Sequence, residues 1–135
     1  MHAFLRKILF PLLLLLPLQG AFAQSGDYDV FVPIAKYLSQ GDADAVSAWF
    51  SDNLDISVIA QGGNASRSQA RQILKGFFES YTPRSFQVTY TAGRANMKYA
   101  LGELNAGGET FLVTLFVSSK GRTFSIQQMK IERAQ

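Results

Sequence analysis

A chain of 135 residues with 47% apolar side chains can build one hydrophobic core but is too short for two ordinary domains. It has no cysteine and only one histidine, His2. This excludes disulfide bracing, thiolate metal sites and cysteine nucleophiles, and leaves Ser-His-Asp catalysis or an imidazole proton shuttle dependent on a residue at the very start of the chain. The formal charge of +3 arises from 13 basic and 10 acidic residues without any dense basic run, so nucleic acid and anionic membrane surfaces are not expected partners.

The chain opens with Arg6 and Lys7, an uncharged apolar run from Ile8 to Leu18, and the small-residue ending Ala21-Phe22-Ala23. A basic start, an apolar segment of about 7 to 15 residues and an A-x-A ending describe an export signal, so cleavage is expected after Ala23. The run falls well short of the roughly 20 residues needed to cross a bilayer, Pro11 and Pro17 interrupt it, and no cysteine is present to carry a lipid. The expected organisation is a signal peptide over 1–23 and a single domain over 24–135, in the periplasm or outside the cell, with no membrane span after cleavage. Removal of the signal takes away His2 and two of the 13 basic residues, leaving a nearly neutral chain without imidazole.

Asp29, Pro33 and the apolar residues Val30, Phe31, Ile34, Ala35 and Leu38 predict a first amphipathic helix capped by Asp29 and ended by Gly41. Asp42 is positioned to cap a short second helix from Ala43 to Phe50, with Val46, Trp49 and Phe50 on its buried side. Leu54 to Ile59 alternates as a half-buried strand that sends Asp55 outward, and Gln61-Gly62-Gly63-Asn64 reads as the turn after it. Ser66 followed by Gln69 is a capping-box pair opening a third helix, whose apolar face is Ala70, Ile73, Leu74, Phe77, Phe78 and Tyr81 and which stops before Pro83.

From Ser85 the apolar period changes to two, and turns at Gly93-Arg94, Ala106-Gly107-Gly108 and Lys120-Gly121 divide the remainder into four strands of an antiparallel meander. In the first, Phe86, Val88, Tyr90 and Ala92 share the face expected to meet the helices. In the second, counting by twos gives the same inward direction to Met97, Tyr99, Leu101 and Glu103. The third is apolar on both faces, as a central strand is. In the last, the apolar set Phe124, Ile126, Met129 and Ile131 slips by one residue at Gln127-Gln128, which predicts a β-bulge and a curved sheet.

Two helices, a strand, a long helix and a curved meander is an order that resembles the nuclear transport factor 2-like fold, an α+β cone with three N-terminal helices packed on a curved, mainly antiparallel sheet. More closely, Val32-Pro33-Ile34, Phe50 leading into Leu54-Asp55-Ile56, Ser66 to Phe78 with its Ser-x-x-Gln-Ala start, and Pro83 before Phe86 resemble a family of small secreted bacterial proteins known only as a domain of unknown function. That family usually has an aromatic residue before the serine, where this chain has Ala65. The resemblance implies a fold rather than a reaction, because the matching positions are caps and core.

Enzymes on this fold carry an acid or base inside the cone, so Glu103 with Tyr90 and Tyr99 is the candidate set for a cofactor-free lyase or isomerase. Trp49, Phe77 and Phe78, with Tyr90, Tyr99 and Glu103, are the candidate lining of a pocket for a small apolar ligand, although aromatics at helical spacing more often form core. No metal or cofactor is expected. Arg67, Arg71 and Lys75 form a basic row that reads as a solvated helix face, and the sequon Asn64-Ala65-Ser66 carries no information in an exported bacterial chain. The outer sheet face is expected to show Thr89, Ala100, Gly102, Leu104, Leu112, Thr114 and Phe116, with Lys98 almost alone in charge. A homodimer through that face is the expected partner arrangement. The overall expectation is a non-enzymatic domain for small-ligand binding or protein interaction.

Overall fold

The structure, a computed structural model, describes residues 26–135; the expected signal peptide and its cleavage site lie outside the described residues. After a single 3₁₀ turn (Gly26–Tyr28) come α1 (Phe31–Gln40), α2 (Ala43–Ser47), β1 (Phe50–Val58), β2 (Gln61–Ser66), α3 (Arg67–Ser80), β3 (Pro83–Arg94), β4 (Met97–Ala106), β5 (Glu109–Lys120) and β6 (Thr123–Arg133).

Local chemistry sets most of the boundaries. The Asp42 carboxylate accepts from the Ala45 N–H at 3.0 Å, which starts α2 as expected. Ser66 Oγ accepts from the Gln69 N–H at 3.2 Å while Gln69 Oε1 accepts from the Ser66 N–H at 3.0 Å, completing the predicted capping box of α3. At the end of α1, the N–H groups of Gly41 and Asp42 reach the carbonyls of Leu38 and Tyr37. Asp29 does not cap α1 with its carboxylate. Val30 is already helical at the N-cap, so the Asp29 carbonyl takes the Val32 N–H at 3.0 Å instead. α2 is also shorter than expected, because Phe50 has left the helix to open β1 opposite Ile126.

The segment Gln61–Ser66, expected to be a turn, is a strand paired antiparallel to β1 from Val58↔Gln61 to Asn53↔Ser66. The true turn is Ile59-Ala60, with φ of 50° and 66°, the left-handed pair that a two-residue hairpin requires. Gly62 misled the sequence reading for a physical reason. Its φ of 138° is one that a residue with a side chain rarely adopts, and a Cβ there would sit 2.1 Å from the Ile56 carbonyl oxygen, so glycine marks close strand approach rather than a bend.

The six strands lie in the order β2-β1-β6-β5-β4-β3, antiparallel throughout except for the parallel pair β1–β6. β5 is an interior strand, as its two apolar faces predict. α1 lies over β3 and β4, α3 over β1 and β2, and α2 joins the two helices. Ile34, Leu38, Val46, Leu74, Phe77 and Phe78 from the helices meet Phe111, Val113, Leu115, Ile126, Met129 and Ile131 from the sheet, all buried. Phe116 pairs with Gln128 and Val117 with Ile126, leaving Gln127 as the extra residue of the predicted bulge.

A second bulge reverses part of the expected facing. Val88 pairs with Gly102 and Tyr90 with Leu101, so Thr89 is extra and Tyr90 turns outward. β4 is inverted along its whole length: Lys98, Ala100, Gly102, Leu104 and Ala106 point inward and are buried, while Met97, Tyr99, Leu101 and Glu103 are exposed. The cause is steric. The Phe86 ring lies over Gly102, where an added Cβ would meet Phe86 Cζ at 2.3 Å, so the middle of the inward face of β4, at Ala100 and Gly102, takes small residues while Tyr99 and Leu101 face out.

Two stability outcomes follow from these contacts. Gly102→Ala should cost about 1 to 3 kcal/mol by overpacking against Phe86, with part of the loss recovered in the double variant Gly102→Ala/Phe86→Leu, read from urea midpoints. Ala60→Gly should stabilise by about 0.5 to 1 kcal/mol, since relief of the left-handed strain exceeds the added entropy of the unfolded chain. A lower melting temperature for Ala60→Gly would contradict the turn geometry.

Candidate functional site

The residues proposed for chemistry inside the cone do not meet there. Glu103 is exposed on the convex face of β4, between Gln87 of β3 and Leu112 of β5. Tyr90 and Tyr99 share that face, 58% and 43% exposed. The assignment of these three residues to an inward acid-base site or pocket is therefore corrected, because the Thr89 bulge and the small inner face of β4 turn them toward solvent. Asp55 is exposed, as expected.

The space beneath the helices is occupied by side chains. Phe77 and Phe78 are buried, and the Phe77 ring stands edge-on to Phe111 at 5.0 Å and beside Tyr81 at 5.3 Å. Arg133 closes this cluster by lying over Tyr81 and Phe111, donating to the Tyr81 hydroxyl at 3.0 Å and pairing with Glu109. The bond to Tyr81, followed by that to Glu109, raises the pKa of the guanidinium further above its ordinary value.

Open cavities lie at the margins instead. One, of about 540 Å³, runs between α3 and the β1–β2 hairpin, with Val58, Ile59, Ile73, Phe77 and Tyr81 in its walls. Another, of about 420 Å³, lies toward the opposite end of the strands and includes Trp49, which is half-buried, with Lys98 and Phe124. Of the six expected pocket residues, Phe77 and Trp49 thus each border an opening, but different ones.

Lys98, expected on the outer face, is only 8% exposed and is the one buried charged side chain among the described residues. Its ammonium donates to the Arg94 carbonyl at 2.9 Å and lies 5.1 Å from the Tyr28 ring centre and 5.7 Å from that of Phe124. Sequence reasoning missed this residue. The available signal was the alternation of small residues at Ala100, Gly102 and Ala106, which marks the face that another element covers. The basic row of α3 is tied down in part: Arg67 reaches Asp52 at 3.0 Å and Arg71 reaches Asp44 at 3.2 Å, both well exposed and each worth little on its own.

On the convex face, Thr89, Leu112, Thr114 and Phe116 are placed as expected, whereas Ala100 and Leu104 are wholly buried on the other side and cannot belong to an outer interface. Tyr99 stacks on Phe116 at 4.7 Å. Tyr90, Met97, Tyr99, Leu101 and Leu112 are five of the seven large apolar side chains exposed among the described residues, and strand pairing makes them neighbours across β3, β4 and β5.

The architecture is that of the nuclear transport factor 2-like, or cystatin-like, class of α+β domains. The chain resembles a domain of unknown function with a cystatin-like fold from Nostoc punctiforme, with a TM-score of 0.64 at 13% identity over 83% of this chain and 77% of that one. It also resembles a protein of unknown function described as NTF2-like from Cytophaga hutchinsonii, with a TM-score of 0.57 at 9% identity over 78% and 88%. A DUF4783 family protein from Bacteroides uniformis is similar with a TM-score of 0.73 at 18% identity, over 76% of this chain and 95% of that one. Residues 31–132 match the family described as a domain of unknown function (DUF4783), and the chain belongs to that family. No curated protein matches the chain. Among the described residues there is no cluster of His, Cys, Asp and Glu able to hold a metal, and no helix long and apolar enough to cross a membrane.

Substitution separates core from solvent-facing residues. Phe77→Ala should cost about 3 to 5 kcal/mol, the value for an emptied aromatic core site, while Glu103→Gln should change stability by less than about 0.5 kcal/mol. Denaturant unfolding of the two variants checks both.

Proposed function

We propose that this protein is an exported, non-catalytic interaction domain in which the convex face of the sheet joins two copies of the chain. The observation that carries the reading is the clustering of Tyr90, Met97, Tyr99, Leu101 and Leu112 on one side of β3, β4 and β5. Contiguous apolar surface of this kind is uncommon on a free monomer and is typical of contact sites.

Size and charge support a second copy as the occupant. Four adjacent strands of ten or more residues present a face of roughly 19 by 33 Å, on the order of 600 Å², close to the roughly 800 Å² that each partner contributes to a stable complex. The face is also polar end to end. Glu103 lies at one end, where Glu132 is paired with Lys130 at 3.8 Å, and Arg94 and Lys120 lie at the other. A two-fold axis that runs the strands of two copies in opposite directions sets the acidic end of each against the basic end of its mate. Export is supported by the Arg6-Lys7 start, the apolar run and the Ala21-Phe22-Ala23 ending.

Light scattering of the purified protein at micromolar concentration should give twice the chain mass, and Leu101→Glu should return it to a monomer with an unchanged melting temperature. A monomer in the unsubstituted protein counts decisively against the dimer. Protein recovered from the cell envelope or medium should begin at Gln24; an intact Met1 there would overturn the cleaved-signal reading.

A further inference from the structure

The cavity beside Trp49 has the lining of a binding site. Its walls include the aromatic rings of Trp49 and Phe124, the cations Lys98 and Arg122, and the carboxylates Asp27 and Asp29. None of the ion pairs formed among the described residues uses any of these four charges. The Lys98 ammonium is the notable group. It is nine-tenths buried, yet among the described residues only one of its three N–H donors is engaged, by the Arg94 carbonyl, and its charge faces aromatic rings rather than a carboxylate. A buried ammonium ordinarily comes with an anionic partner.

We propose that this cavity binds a small zwitterion of the amino-acid class, with its carboxylate on Lys98 and Arg122, its ammonium toward Asp27 and Asp29, and an apolar side chain against Trp49 and Phe124. The charge inventory selects the class. A simple anion would bring its charge beside Asp27 and Asp29, and a simple amine would bring its charge beside Lys98 and Arg122, whereas a molecule carrying both charges satisfies both pairs. The volume of about 420 Å³ lies within the roughly 300 to 1,000 Å³ of small-molecule sites. The inference does not depend on the dimer. It rests on an inward residue of β4, not on the outward ones.

Trp49 is the only tryptophan of the chain, so its fluorescence reports this cavity directly. Purified protein would be titrated with L-phenylalanine, with phenylacetate, which lacks the amine, and with phenethylamine, which lacks the carboxylate. The expected result is a saturable change with phenylalanine and affinities at least about ten-fold weaker for the other two, a difference of ~1.4 kcal/mol. Lys98→Met should weaken phenylalanine by about ten-fold or more while circular dichroism shows the native fold. Arg122→Gln, a change in an exposed turn, should weaken it in the same direction and serves if Lys98→Met does not fold. Asp27→Asn/Asp29→Asn should erase the preference for phenylalanine over phenylacetate. No saturable response to any of the three up to about 10 mM, equal binding of phenylacetate and phenylalanine, or full affinity in both Lys98→Met and Arg122→Gln would overturn the proposal.

Discussion

The curvature of the sheet is the constraint on which the remaining structure depends. A sheet of six strands can enclose two helices on one side only if it bends, and bending requires extra residues on some strands and small ones where a neighbour presses close. Here the extra residues include Arg84 and Thr89 in β3 and Gln127 in β6, and the small ones are Ala100, Gly102 and Ala106 on the inner side of β4. Phe86, over Gly102, fills the space those side chains leave. The same bend fixes which side chains leave the core: Tyr90 is carried outward by its bulge, and Tyr99 and Leu101 by the register of β4.

Within the bend, non-covalent contacts hold the domain together, since no cysteine is available to cross-link it. The N-terminal half is anchored through the parallel pairing of β1 with β6, which sets Ile56 opposite Met129 and Val58 opposite Ile131. From the other side, α3 drives Phe77 against Phe111, and Arg133 near the end of the chain covers the pair. Residues distant in sequence therefore meet at one aromatic cluster. Such a cluster couples the helices to the last strands.

The apolar convex patch and the Lys98 cavity are both consequences of β4. Its outward residues form the middle of the apolar convex patch, and its first inward residue, Lys98, brings a charge to the mouth of the cone between Tyr28 and Phe124. A catalytic reading would need a carboxylate enclosed by apolar walls, where burial raises its pKa, and Glu103 stands in solvent instead.

By itself, the sequence determined what local physics controls: the caps at Asp42 and Ser66, the apolar face of α3, the four-strand meander and the slip at Gln127. Those features rest on residues within a few positions of one another, so their spacing is enough. The family resemblance was legible for the same reason, since Ser66 to Phe78 and Pro83 are caps, breakers and core. Only the tertiary structure decided that Gly62 and Gly63 belong to a strand, that Thr89 is an extra residue, and that Tyr90, Tyr99 and Glu103 face out while Lys98 and Leu104 face in. A strand's period of two states which residues share a side but not which side is covered. That choice falls to whichever neighbour arrives, and here the ring of Phe86 and the weight of α1 required the smaller side of β4.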